Sequence, residues 1–174
     1  MKKVFILITM IFMSLNVLGK VYKPSEECLK FIQKYEKCKL TAYADQGGGW
    51  TIGWGHHGSD VYEGMIISKA EADELFRKDI EKFGPCVKRL INELPYEYEF
   101  SQGFIDGLFS LVYNCGENGV RNTPFYERLK KCRVIDGIMN EEDFNFTIAG
   151  VKISKIPTKH HEERRYEEHL MMLK

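Results

Sequence analysis

Three side chains able to give or take a proton or hold a water stand close together between Tyr35 and His57: Glu36, Asp45 and Thr51. In a chain with 25 acidic residues, a glutamate and an aspartate at this spacing say little by themselves. Their surroundings say more. Glu36 lies at the edge of an apolar stripe, and partial desolvation favours the neutral, proton-bearing form of a carboxyl. Asp45 precedes Gly47, Gly48 and Gly49, an open turn with little shielding, which suits a carboxylate that stays ionised. One acid kept protonated beside one kept charged is the division of labour of glycoside hydrolysis.

Two elements must position these groups. On a 3.6-residue period, Cys28, Phe31, Ile32 and Tyr35 share one face of a helix starting near Pro24, with Lys30, Lys34 and Lys37 opposite and Glu36 projecting between Leu29 and Ile32. Downstream, Trp50 to Gly55 is β-branched and aromatic and reads as a strand. With Tyr43 to Asp45 and the glycine turn it makes a hairpin that brings Thr51 back toward Asp45, where it can help orient a water. Glycines leave the register open.

Glu36, eight intervening residues, Asp45, five more, then Thr51-Ile52-Gly53-Trp54-Gly55-His56 resembles the signature of the phage-type lysozymes, the muramidase family that includes T-even phage lysozyme and many endolysins. The resemblance covers Pro24 to Leu173, densely up to Asp79 and loosely afterwards. It implies an α+β, mainly helical, two-lobed fold: a small β-hairpin lobe, a long connecting helix and a helical C-terminal lobe, with a cleft between the lobes. It also implies cleavage of the bond between N-acetylmuramic acid and N-acetylglucosamine in peptidoglycan glycan strands. Glu36 would be the general acid, Asp45 the carboxylate assisting water and Thr51 its positioner, with inversion and no cofactor. A peptidoglycan-binding protein or inhibitor without turnover, and a lytic transglycosylase, are the alternatives.

Residues 1–19 begin with Lys2 and Lys3, continue as an apolar run to Leu18 and end at Gly19, the layout of a secretory signal peptide. The run is short for a bilayer span, which needs about 20 apolar residues, so the expectation is cleavage, no stable membrane span afterwards, and a secreted or periplasmic protein. The remaining residues 20–174 suit one catalytic domain, expected to act as a monomer. Basic and acidic residues balance at 25 each, and 23 against 25 once Lys2 and Lys3 are lost, which argues against nucleic acid as a partner. Five cysteines, Cys28, Cys38, Cys86, Cys115 and Cys132, permit two bridges and one free thiol in an oxidising compartment, with the pairing open. Cys38, two residues past Glu36, is a bridge that pins the helix end, a thiol whose redox state gates the site, or a small buried hydrophobe.

Beyond the hairpin, Ser68-Lys69-Ala70-Glu71 reads as a capping box opening a long helix with Ala72, Leu75, Phe76, Ile80 and Phe83 on its apolar face. Asp79 falls inside that face, within about 60 degrees of Phe76, and a buried carboxylate needs a partner. His56 is the expected one, a structural ion pair in keeping with the family. A metal site of His56, His57 and Asp60 is disfavoured because neighbouring strand residues face opposite ways, so no metal is expected. Gly84-Pro85 should punctuate or end the helix, with a helical pattern resuming to Leu94. Phe100 to Val112 reads as a helix buried on nearly all sides, with Gly103 and Gly107 allowing close packing. Tyr113 and Asn114, by the resemblance, are candidate substrate contacts; a plain helix cap with Gly116 left-handed is the other reading. Thr123-Pro124 starts a further helix and Asp143 to Ala149 suggests another. The segment after Thr158 reads as a charged surface helix, and it lacks the Gly-Leu that usually precedes the family's paired arginines, here Arg164-Arg165.

Overall fold

The computed structural model describes residues 21–45, 48–95, 98–135, 138–140, 142 and 159–174. The expected leader and the helix expected from Asp143 to Ala149 lie outside them.

Helix α1, Glu26–Glu36, starts where the Ser25 hydroxyl accepts from the Cys28 N–H and buries Cys28 and Ile32. It delivers the chain into strand β1, Lys39–Ala44, which pairs with β2, Trp50–Gly53, and this in turn with β3, His56–His57, all antiparallel. Tyr43 lies opposite Thr51 and Ala44 opposite Trp50. The other edge of β1 is closed by the segment ending at Ile67, whose N–H donates to Leu40 O at 2.9 Å. A small apolar core of Ala42, Ile52, Val61, Ile67 and Ala72 fills this lobe.

Helix α2, Lys69–Asn92, begins with the expected capping box: the Glu71 N–H donates to the Ser68 hydroxyl and the Ser68 N–H to the Glu71 carboxylate. It runs unbroken through Gly84 and Pro85. Proline costs a helix one internal hydrogen bond, and burial of Val87, Leu90 and Ile91 just beyond it supplies packing that a break would forfeit. Helix α3, Gln102–Arg121, is the centre of the second lobe, with Phe104 through Val112 buried. Gly116, at φ 70° and ψ 165°, is non-helical and separates two helical stretches at a kink, in keeping with a cap at this glycine. Helix α4, Pro124–Leu129, is capped by Thr123. A short pair, β4 (Val134–Ile135) and β5 (Ile138–Met139), follows, and α5, Lys159–Met172, returns to the core.

Besides the unbroken passage of α2 through Pro85, two further expectations are corrected here. Helix α5 is not a surface helix: Arg164, Arg165, Glu168, His169 and Met172 are all buried. It packs on α3 where the glycines leave room, since a Cβ at Gly103 would overlap the carbonyl oxygen of Met171 and one at Gly107 the side chain of Met172. The absent Gly-Leu therefore does not prevent docking. Its charges tolerate burial because they meet one another: Arg164 Nε lies 3.2 Å from Glu168 Oε1, Arg165 bonds the other oxygen, and the Ser110 hydroxyl donates to Glu168 at 2.6 Å. Secondly, all five cysteines are free thiols, and Cys28 donates to Asp106 O at 3.3 Å as a buried small side chain.

Candidate functional site

Glu36 is the last residue of α1, and the next residue, Lys37, takes the positive φ of 45° that turns the chain into β1. The turn leaves the Glu36 carboxyl at the helix tip, facing α5 and the loop after β2. Its Oε1 accepts from Arg164 at 2.6 Å. Arg164 is buried and also donates to Ser110 O at 3.3 Å and Ser110 Oγ at 3.2 Å, so the cation is held from several sides. Desolvation alone does not describe the surroundings of Glu36: a fixed guanidinium stands against one oxygen. The other, Oε2, points toward Gly55; a Cβ there would stand 3.5 Å from it and 3.8 Å from the Tyr113 hydroxyl. Gly55 has φ +104°, a backbone few side chains adopt, and its bareness keeps that side of the carboxyl open.

Asp45 follows β1 and is exposed. Its N–H donates to Gly49 O at 2.8 Å, and its own carbonyl accepts from the Gly48 N–H at 3.1 Å. Tyr43 links the two carboxyls electrostatically: burial first, then the negative charges of Asp45 and Glu36, push its phenol up. Lys39 Nζ lies 3.6 Å above its ring. Thr51, opposite Tyr43, is 5% exposed, and its hydroxyl lies 3.4 Å from His57 Nδ1. Thr51 thus lies across the strand pair from Tyr43, Asp45 follows just past the end of the strand that carries Tyr43, and the charge of Glu36 is felt at the Tyr43 phenol.

Tyr113 stands near Glu36 and Gly55 with its hydroxyl already engaged, and Asn114 follows it with its side-chain oxygen engaged. The Tyr113 hydroxyl donates to Trp54 O at 2.9 Å, and its ring lies edge-on to Phe76 and Phe83. Burial, then the charge of Glu36, pushes its phenol up. Asn114 Oδ1 accepts from Arg165, which leaves its amide nitrogen rather than its oxygen for a ligand.

His56 Nδ1 lies 2.7 Å from Asp79 Oδ2, His56 Nε2 3.1 Å from Asp60 Oδ2, and Lys82 donates to Asp79 Oδ1 at 2.7 Å. Bonding to His56 is the first cause holding the Asp60 carboxyl below its usual range. This chain of charges sits on the face of the sheet turned to α2, and it ties the small lobe to the long helix. Among the described residues no cluster of three or more His, Cys, Asp or Glu could hold a metal, and no helix is long and apolar enough to cross a membrane.

Sequence reasoning missed two residues here. The polar pattern of the last helix puts Arg164 on the surface, whereas its spacing of four to Glu168 is the signal that suits a buried pair. His57 drew notice only as a metal candidate, although β3 pairing sets it beside Thr51.

A short helix ending in a glutamate, a glycine-turned hairpin carrying an aspartate and a threonine, and a long helix leading to a helical lobe define a lysozyme-like α+β protein. Residues 33–167 match the phage lysozyme family, and the chain belongs to that family. It is 38% identical over 97 residues to an endolysin of Lactococcus phage c2, covering 54% of this chain and 40% of that one. It is 31% identical over 106 residues to an endolysin of Acyrthosiphon pisum secondary endosymbiont phage 1, covering 60% and 68% respectively. The matched stretch thus spans less than half the length of the first relative. In fold it is similar to the muramidase domain of SpmX from Asticaccaulis excentricus, with TM-score 0.67, 22% identity and coverage of 88% of this chain and 99% of that one.

Proposed function

We propose that the protein is a peptidoglycan hydrolase, an N-acetylmuramidase that cuts the β-1,4 bond between N-acetylmuramic acid and N-acetylglucosamine. The observation that supports this is the match of residues 33–167 to the phage lysozyme family, with Thr51 paired opposite Tyr43 and the Tyr43 phenol raised by burial and by the charges of Asp45 and Glu36. In this reading Glu36 donates its proton to the glycosidic oxygen from Oε2, the oxygen not held by Arg164. Asp45 takes one proton from a water while the Thr51 hydroxyl accepts a hydrogen bond from its other hydrogen, so that the water oxygen bonds to the sugar's anomeric carbon as the protonated glycosidic oxygen leaves, with inversion of configuration there. Tyr113 and the Asn114 amide nitrogen contact the bound glycan. His56 and Asp79 hold β3, the strand paired with the one that carries Thr51, and act structurally.

The substrate lies outside the cytoplasm, and residues 1–19 serve as the export signal, removed after Gly19. N-terminal sequencing of the exported protein tests that cut. For the activity, purified cell walls are incubated with wild type and Glu36→Gln. Loss of turbidity with new reducing ends from the wild type alone supports the muramidase. Anhydro ends identify a transglycosylase, and glycan binding with no new ends identifies a binding protein; either result overturns the reading.

A further inference from the structure

We propose that His57 is a positioning residue of this site: it sets the direction of the Thr51 hydroxyl and so decides whether that oxygen can accept from the attacking water. The inference rests on the muramidase reading and goes beyond it.

Thr51 and His57 are register partners across β2 and β3, so both side chains leave the same face of the sheet. Tyr43, opposite Thr51 on the other side, shares that face. The ring is seated by a second contact. A Cβ at Gly49 would overlap His57 Cε1, and the carbonyl of Gly49 is the one that accepts the Asp45 N–H at 2.8 Å. One imidazole therefore rests on the residue that closes the turn of Asp45 and reaches Thr51 Oγ1 at 3.4 Å through Nδ1. The two groups that would hold the water are braced by the same ring.

A hydroxyl has one hydrogen and two acceptor positions. When His57 is neutral with its proton on Nε2, Nδ1 accepts the Thr51 hydrogen, and the threonine oxygen turns its lone pairs outward to a water. When both ring nitrogens carry protons, Nδ1–H donates to Thr51 Oγ1 and takes one of those positions, and the hydroxyl hydrogen swings toward the water instead. Histidine is the side chain that changes charge between about pH 5 and 8. The other titratable groups around it are Asp45 in the turn, Tyr43 on the shared face with Glu36 beyond it, and His56, Asp60, Asp79 and Lys82 on the opposite face.

The test uses the full chain on purified peptidoglycan, reading kcat and KM from reducing ends between pH 5 and 8, with His57→Leu, His57→Asn, Thr51→Ala and the double variant Thr51→Ala/His57→Leu. His57 is exposed, and thermal midpoints confirm that each variant folds. His57→Leu should lower kcat about fivefold near pH 7.5, the worth of one ordinary hydrogen bond, with little change in KM. His57→Asn, whose Oδ1 replaces Nδ1 as an acceptor, should recover most of it. In the Thr51→Ala background His57→Leu should have no further effect. The inference is overturned if His57→Leu matches wild type throughout, if asparagine rescues no better than leucine, or if the loss persists without Thr51. Should His57→Leu not fold, His57→Asn against His57→Gln, with its acceptor at the Nε2 position, decides by the same comparison. A wild type that makes no reducing ends sinks this inference together with the muramidase reading; one that does, with Thr51→Ala impaired and His57→Leu not, sinks this inference alone.

Discussion

Replacing Arg164 by methionine separates two pictures of the last helix by the size of the effect. On a solvated surface helix the change would alter stability by no more than about 0.5 kcal/mol. In the structure Arg164 is 3% exposed and holds Glu36 at 2.6 Å, Glu168 at 3.2 Å and both oxygens of Ser110. Methionine fills much of the same volume but leaves those oxygens short of a donor. Breaking a buried ion pair from one side costs roughly 3 to 5 kcal/mol. Glu168 keeps Arg165 and Ser110, which places the loss at the lower end, about 3 kcal/mol. Glu36 is partly exposed and can rehydrate, so its share is small, below about 1 kcal/mol. For a chain of this size 1 kcal/mol corresponds to about 2 to 4 °C, so the midpoint should fall by about 6 to 12 °C. Urea unfolding gives the free energy if the slope is unchanged. Turnover, measured well below both midpoints, should also fall, because Glu36 loses the contact that holds it at the helix tip. A change under about 1 kcal/mol with the slope preserved would refute the buried network.

Asp79→Asn should destabilise near neutral pH by roughly 2 to 3 kcal/mol, short of the full cost of breaking a buried pair because the amide still hydrogen-bonds, while cell-wall clearing stays measurable; equal thermal midpoints from pH 5 to 8 would exclude the His56–Asp79 pair. Glu117, bonded by Arg89 first and then by Arg121, has its carboxyl lowered to about 2. A depressed carboxylate stabilises above its unfolded value, near 4.3, and loses that contribution as pH falls toward 2. Glu117→Gln should therefore melt below wild type at pH 7, with the two converging as pH drops from about 4.5 to 2; a constant gap would refute the linkage. Gly55→Ala should lower turnover about tenfold, because the methyl meets a φ of +104° and stands 3.5 Å from Glu36 Oε2; unchanged turnover would show that the space before Glu36 is not used.

Much of this protein is local and therefore written in the chain. The caps at Ser25, Ser68 and Thr123 satisfy helix ends with residues three positions away, and the β-branched and aromatic residues from Trp50 to Gly53 favour a strand. Asp79 inside an apolar face declared that a partner was needed, and His56 supplies the contact at 2.7 Å. The spacing of Glu36, Asp45 and Thr51 carries the resemblance on which the proposed site rests. The sequence could not carry what depends on meetings across long separations. Whether the charges of α5 face water or one another is decided by the docking of that helix on Gly103 and Gly107, 57 or more residues earlier in the chain than Arg164. Periodicity sees a polar helix in both cases, because the free energy of a buried charge lies in its partner and not in its own type. The same holds for His57, which acquires its place beside Thr51 only through a strand register that glycine-rich sequence leaves open.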